Sequence, residues 1–191
     1  MTLKAVRDAK PVIFTATIFV TLVLVFTAIS LVVSSPDDQV GVARNLNDIP
    51  TREIELGVAG TLLGVLALGI YGRGGILVAL LLPALVILLD LDHLPSFLGL
   101  AQPIRPAASL VFLATDVAIT TIILRRVEFG LIVVSAFTGH LGLETGLIPP
   151  LAPFSFAYYE LNAYGFPLLA FSTVLAFAAG HIFRHGRRSK T

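Results

Sequence analysis

The chain has 191 residues, of which 56% are hydrophobic and only 13% are charged, and its mean hydropathy is +0.92. A soluble domain is closer to a quarter charged, so this composition excludes an ordinary water-soluble enzyme and indicates a membrane protein. The sequence has no cysteine, which excludes disulfides, thiolate metal ligands and cysteine nucleophiles. The net charge of +1 conceals an asymmetry in where the basic residues lie.

The first 55 residues predict one membrane span followed by an acidic loop. Residues 11–33 carry no charge, and this run is longer than the apolar region of a signal peptide, which is about 7–15 residues. We therefore expect residues 1–33 to form an N-terminal segment and a retained transmembrane helix. Residues 34–55 contain five acidic residues and two prolines, which predicts an extracytoplasmic loop.

Residues 56–183 predict a membrane domain of five further helices, and residues 184–191 form a basic cytoplasmic tail. A span requires about 20 predominantly apolar residues at helical rise. We expect the five spans near residues 56–71, 76–89, 106–124, 129–143 and 165–183. The sequence therefore predicts an all-α, polytopic integral membrane protein with about six transmembrane helices.

A glycine-rich face marks the second predicted span. Gly57, Gly60 and Gly64 lie at i, i+3 and i+7, and so share one side of a helix. Small residues at such positions allow a neighbouring helix to approach closely.

Lysine and arginine set the orientation, because cytoplasmic loops carry an excess of both residues. If both termini are inside, ten of the thirteen basic residues face the cytoplasm, and Arg44, Arg52 and Arg105 face outwards. The opposite orientation would invert this bias. We therefore expect a multi-pass protein of the cell membrane with both termini cytoplasmic.

Two polar clusters end predicted spans at the outer face. Asp90, Asp92 and His93 end the third span, and His140 and Glu144 end the fifth with a spacing of i, i+4 that places both side chains on one side of the helix. Ionisable groups in spans cost about 2.5–3.5 kcal/mol on insertion scales, so each suggests a function. Carboxylates and imidazoles suit Zn²⁺, Mn²⁺ or Mg²⁺, and a bound ion could generate a hydroxide nucleophile. We predict these five residues as ligands of a divalent metal.

The alternative for these clusters is structural. Asp90 and Asp92 would then be interfacial loop residues, and His140 would be a packing residue. Asp116, near the middle of the fourth span, requires a cavity or a polar partner. The proline-rich residues 148–155 suggest a re-entrant or surface-lying lid. The sequence has no aromatic and basic stripe suited to nucleic acid, so we expect no nucleic-acid partner.

Three motifs resemble those of the membrane-bound metal-dependent hydrolase-like family, which includes the YdjM-type inner-membrane proteins. Residues 88–93, Leu-Leu-Asp-Leu-Asp-His, resemble its P-D-[IL]-D-H motif, and residues 139–145, Gly-His-Leu-Gly-Leu-Glu-Thr, resemble its S-H-L-x-x-D-x-x motif. Residues 146–155 resemble its G-x-x-L-L-W-P-F-S segment. The motifs agree in order and spacing, and the similar region covers roughly residues 53–183.

The resemblance implies a helical membrane protein with a carboxylate–histidine site, presumed to bind a divalent metal, near one membrane face. Asp90, Asp92, His93 and His140 carry over by motif position, and Glu144 stands where the family has aspartate. The first span and the acidic loop would be an addition at the N-terminus.

The chain departs from the family in its histidines. Where the family has H-R-x-x-T-H-S, residues 104–110 keep Arg105 and lose both histidines, and Ile54 and Glu55 replace an early threonine–histidine pair. This loss favours a non-catalytic accessory or structural subunit of a larger membrane complex, of the respiratory or membrane monooxygenase type. The alternative is a metal-dependent hydrolase that acts on a lipid or phosphoester at the outer membrane face. The expected partners are the lipid bilayer and other membrane subunits.

Overall fold

A computed structural model describes residues 3–33, 58, 60–62, 64, 76–97, 105–143, 147–157 and 159–188. Within these ranges the architecture is all-helical apart from one antiparallel pair of two-residue strands, β1 (Leu147–Ile148) and β2 (Tyr159–Glu160). The long helices are α1 (Leu3–Val33), α2 (Ile76–Leu88), α3 (Leu110–Leu124), α4 (Val127–Leu143) and α5 (Gly165–Arg188). Shorter helical turns are formed by Leu89–His93, Leu94–Phe97, Pro106–Ala108 and Asn162–Tyr164.

Three helical stretches are long and apolar enough to cross a membrane, namely Ala9–Val33, Ile76–His93 and Gly165–Phe183. They agree with the first, third and last predicted spans. Helices α3 and α4 are apolar but shorter, with 15 and 17 residues. The second predicted span lies mostly outside the described residues. The described part of the chain thus has the helical, apolar character of a membrane protein.

The fourth predicted span begins later than expected. We predicted a helix from residue 106, but Pro106–Ala108 forms a separate 3-10 turn and α3 begins at Leu110. The side chain of Ser109 accepts a hydrogen bond from the Phe112 backbone N–H at 3.1 Å. Such an N-cap satisfies a donor at the start of a helix and fixes where the helix begins.

Helix α4 is the centre of the described bundle, since it contacts α2, α3 and α5 and has twelve of its seventeen residues buried. Helix α4 contacts α5 through small residues. The Ser135 and Ser172 hydroxyls each donate to the backbone carbonyl of the other residue, at 2.8 and 2.6 Å. Further along, a Cβ atom on Gly142 would lie 2.9 Å from the Gly165 carbonyl oxygen. Small and hydroxyl-bearing residues are typical of close packing between membrane helices.

Helix α1 belongs to the same core, although the family resemblance implied an added element. Phe19 and Phe26 are buried and meet the Phe112 ring edge to face, with centroid distances of 5.5 and 5.6 Å. Aromatic pairs in this arrangement contribute about 0.5–1.5 kcal/mol beyond their buried area. The first helix is therefore part of the hydrophobic core of the bundle.

The predicted glycine face is confirmed at two of its three positions. Gly60 and Gly64 are buried against α2, so that a Cβ on Gly60 would lie 2.7 Å from the Pro83 Cα and a Cβ on Gly64 would lie 2.7 Å from the Ala79 carbonyl oxygen. Gly57 lies outside the described residues. This segment therefore packs backbone to backbone on α2, the helix that leads into the polar cluster.

We expect Gly64→Ala to destabilise the protein, because the new methyl group meets a backbone oxygen that cannot rotate away. Overpacking of this kind costs about 1–3 kcal/mol. Thermal unfolding in detergent, followed by circular dichroism, measures the change. Leu62→Ala is the matched control, since Leu62 lies in the same segment and is 60% exposed. Equal melting temperatures for the two variants would contradict this packing.

Candidate metal centre

The polar cluster begins where α2 tightens into the 3-10 turn Leu89–His93. A 3-10 helix has three residues per turn, so side chains at i and i+3 are aligned. This brings the His93 Nε2 atom to 3.6 Å from the Asp90 Oδ1 atom. The same Nε2 atom lies 3.6 Å from the Asp92 Oδ1 atom. One ligand atom from each of the three residues lies within 4.8 Å of the others, a group that could hold a metal ion.

Helix α4 brings His140 to this group from 47 positions further along the chain. The His140 Nε2 atom lies 3.6 Å from the Asp90 Oδ1 atom, and its Nδ1 atom lies 3.0 Å from the Val86 carbonyl oxygen. A carbonyl oxygen can only accept, so Nδ1 carries the proton and the lone pair of neutral His140 is on Nε2. A metal-ligating histidine is typically oriented in this way, with its second nitrogen donating to a carbonyl or carboxylate.

Asp92 connects the cluster to the turn before α3. Its Oδ2 atom accepts a hydrogen bond from the Ala107 backbone N–H at 3.2 Å. Helix α1 packs against both the Leu89–His93 turn and the Pro106–Ala108 turn. The carboxylate of Asp92 is therefore oriented by a backbone donor, with its Oδ1 atom towards His93.

All four side chains are buried, with exposures of 5% for Asp90 and Asp92, 3% for His93 and 2% for His140. This burial does not agree with the alternative in which Asp90 and Asp92 are interfacial loop residues. It does agree with the other part of that alternative, in which His140 is a packing residue, since the ring is buried and hydrogen-bonded to Val86. Moving a carboxylate out of water costs several kcal/mol even after the protein relaxes, so buried carboxyl groups are either paired with positive charge or protonated. A divalent ion would balance two carboxylates without requiring the imidazoles to be protonated.

The distances also fit a metal. Tetrahedral coordination at about 2.0–2.1 Å places neighbouring ligand atoms about 3.3–3.4 Å apart. The three nitrogen–oxygen separations between a histidine and an aspartate of the cluster are each 3.6 Å. The group whose ligand atoms all lie within 4.8 Å of one another comprises Asp90, Asp92 and His93, and His140 enters these nitrogen–oxygen pairs through Asp90 alone. A mixed set of carboxylate and imidazole ligands suits Zn²⁺ or Mn²⁺ better than Mg²⁺, which prefers oxygen ligands and retained water.

The other predicted polar residues lie elsewhere or outside the described part of the chain. Glu144 and Glu55 fall outside the described residues. Asp116 is fully buried in α3, where its Oδ1 atom accepts a hydrogen bond from the Thr120 hydroxyl at 3.0 Å. Thr120 is thus a polar partner for Asp116, which the sequence analysis expected for a carboxylate near the middle of a span. His181 is exposed on α5.

The proline-rich segment packs beside the centre. The Pro150 carbonyl accepts a hydrogen bond from the Leu110 N–H at 2.9 Å, which attaches the segment to the start of α3. Ala152 is fully buried, whereas Leu151 and Phe154 are 55% and 83% exposed. The segment therefore has both a buried residue and exposed large apolar side chains, and its role as a re-entrant or surface-lying lid stays a prediction.

Two contacts of the centre could not have been found from residue types. The Val86 carbonyl and the Ala107 N–H are backbone groups. Every residue except proline has one N–H and one carbonyl, so the residue type does not indicate which of them will contact the cluster. Arg105 was noted in the sequence for its motif position, and it is buried at the start of the Pro106–Ala108 turn. No local feature of the sequence predicted that Arg105 would be buried.

Comparisons of the chain with family models, with curated proteins and with solved structures find no match. The resemblance to the membrane-bound metal-dependent hydrolase-like family therefore rests on the three short motifs.

We expect Asp92→Asn to weaken binding of Zn²⁺ or Mn²⁺ at least tenfold while the protein stays folded. The amide keeps an oxygen that can accept from Ala107 but loses the charge that a cation requires. Metal content by mass spectrometry and competition with a chelator measure the effect. Asp116→Asn is the matched control, because it neutralises a buried carboxylate outside the cluster. Equal metal affinities for the two variants would contradict the assignment.

Proposed function

We propose that the chain is a multi-pass protein of the cell membrane with six spans, both termini cytoplasmic and a divalent metal centre near the outer face. The distribution of lysine and arginine supports the orientation. Three long apolar helices and two shorter ones support the membrane location. In this topology the carboxyl ends of α2 and α4, which carry the polar cluster, lie on the extracytoplasmic side.

We further propose that the protein is a metal-dependent hydrolase that acts on a lipid or phosphoester at that face. The observation that carries this proposal is the meeting of His140 with Asp90, from helices that only the tertiary fold brings together. Two carboxylates and two correctly presented imidazoles are a donor set used in metal-assisted hydrolysis. The motif resemblance supports the same class.

Each residue has a role in this proposal. Asp90, Asp92, His93 and His140 would hold the ion, and Glu144, which the sequence places four residues after His140, would provide a further carboxylate. A bound divalent ion would supply Lewis acidity and a nucleophilic water at neutral pH. The Val86 carbonyl holds the His140 ring in place, and the Ala107 N–H holds the Asp92 carboxylate. One carboxylate of the cluster would serve as the general base for that water.

The second candidate is a non-catalytic accessory subunit of a larger membrane complex, of the respiratory or membrane monooxygenase type. The near-complete burial of the four side chains favours it, because structural metal sites are closed by protein ligands whereas catalytic sites keep an open position. The missing family histidines favour it too. In that case the ion would cross-link α2 and α4.

Metal analysis of His140→Ala tests the centre shared by both candidates. We expect gently purified wild-type protein to contain about one divalent ion per chain and His140→Ala to lose most of it. His181→Ala, which removes an exposed histidine, is the control and should retain the metal. Equal metal content in all three proteins would contradict a role for His140 as a ligand.

Co-purification and hydrolysis assays then separate the candidates. A hydrolase releases product from lipid or phosphoester substrates in the wild type and loses this activity in Asp92→Asn. An accessory subunit arrives with stoichiometric partner chains and shows no metal-dependent hydrolysis.

Single cysteines test the topology, since the natural chain has none. We expect a membrane-impermeant maleimide to label Ser35→Cys in intact cells and Ser189→Cys only after the membrane is opened. Residue 35 follows the first span, and residue 189 lies in the basic tail. Labelling of Ser189→Cys in intact cells would place the C-terminus outside.

A further inference from the structure

Two neighbouring arginines at the corner between α3 and α4 lie in different environments. The Arg126 guanidinium is paired with Glu128, with its Nε and Nη2 atoms each 2.6 Å from the Oε1 atom of that carboxylate. It also lies over the buried rings of Phe129 and Phe183, at 4.8 and 5.3 Å from their centroids. Arg125 is exposed, and its guanidinium group makes no hydrogen bond, ion pair or ring contact with any described residue. One positive charge of the pair is therefore satisfied inside the protein and the other is not.

The contact with Phe183 places this corner at the edge of the membrane-spanning region. Phe183 is the last residue of the apolar stretch Gly165–Phe183, which is long enough to cross a membrane. Beyond it α5 continues as a helix to Arg188, and the sequence of this continuation contains three arginines. The Arg126 guanidinium, held over the Phe183 ring, thus fixes Arg125 at the level where apolar sequence gives way to charge.

Exposed apolar side chains adjoin Arg125 in the chain. Ile122 and Ile123 at the end of α3 are 73% and 56% exposed, and Val127 at the start of α4 is 52% exposed. In a membrane domain such side chains face acyl chains, while a long basic side chain at the end of a span reaches the headgroups. A free positive charge next to an apolar surface matches the two parts of an anionic phospholipid, its phosphate and its acyl chains.

The backbone at this position does not require an arginine. Arg125 has φ 51° and ψ 38° as it ends α3, a left-handed conformation. Left-handed residues commonly end helices, but glycine takes this conformation at the lowest cost because it has no Cβ atom. Packing does not require the arginine either, since its side chain is exposed and makes none of the contacts that hold Arg126. A ligand outside the chain would give this side chain a role that neither the backbone nor the packing provides.

We propose that Arg125 binds the headgroup phosphate of an anionic phospholipid in the cytoplasmic leaflet. The proposed topology places this corner on the cytoplasmic side, where the negative surface potential of the membrane attracts basic residues. A guanidinium group matches phosphate oxygens with two parallel hydrogen bonds. The inference concerns the end of α4 opposite to His140, so it does not depend on metal binding or on hydrolysis.

Native mass spectrometry of the full-length protein, titrated with phosphatidylglycerol or phosphatidylcholine of the same acyl chains, tests the proposal. Both lipids carry a phosphate, but only phosphatidylglycerol has a net negative charge. We expect the wild type to prefer phosphatidylglycerol, and Arg125→Gln to weaken its binding about tenfold because charge-assisted hydrogen bonds are lost. Lys10→Gln is the matched control and should bind as the wild type does, since it removes one positive charge from another exposed residue that the proposed topology places on the same side.

Arg125→Gly separates lipid binding from stability. It removes the guanidinium group and relieves the left-handed backbone, so we expect a melting temperature at least as high as that of the wild type together with the same loss of phosphatidylglycerol affinity. This variant decides the matter if Arg125→Gln does not fold, because unchanged affinity in Arg125→Gly would overturn the proposal. Equal binding of the two lipids by the wild type would also overturn it. So would an equal loss in Lys10→Gln, which would show that the lipid responds to the summed positive charge and not to a site at Arg125.

Discussion

Asp90 and Asp92 are buried side by side at one end of a largely apolar bundle, and several contacts of the described structure are made to them. Each buried ion carries a desolvation penalty of several kcal/mol, whereas a typical hydrogen bond returns about 0.5–1.5 kcal/mol. No single element provides enough donors. The imidazole of His93 comes from the end of α2, that of His140 from α4, and the Ala107 N–H from the turn before α3. The relative placement of these three elements is therefore fixed by the polar cluster as well as by apolar packing.

Helix α4 can satisfy this requirement because it is held on opposite sides. Ser135 exchanges hydrogen bonds with Ser172 of α5, while His140 contacts the Val86 carbonyl of α2. Ser135 and His140 are five residues apart, which corresponds to about 140° around the helix axis. Their side chains therefore point to different neighbouring helices. The serine contact with α5 thus sets the rotation of α4 that presents His140 to Asp90. Close packing on one face determines the ligand geometry on the other.

The sequence predicted which side chains meet, but not the backbone that holds them. Counting spans placed Asp90 and His140 on the same membrane face, and their proximity agrees with that expectation. The start of α3 had a signal that the span prediction did not use, since Ser109 is a residue type that caps helices. The pairing of the Ala107 N–H with Asp92, fifteen residues earlier, had no such signal. The sequence also contained a signal, not used in the prediction, that α1 belongs to the core. Phe19 and Phe26 are seven residues apart and so share a helix face, a spacing that favours packing against a partner.

The turn before α3 is the point where the separate parts of the described structure join. The Ala107 N–H of this turn donates to the Asp92 carboxylate, and Ser109 then starts the helix in which Phe112 packs against α1. The next residue, Leu110, donates to Pro150 of the exposed proline-rich segment. The proline-rich segment is therefore connected to the Asp92 carboxylate by two hydrogen bonds and by the backbone between Ala107 and Leu110. Because outer-shell partners orient carboxylate ligands, any ion held by the cluster would depend on the position of this turn.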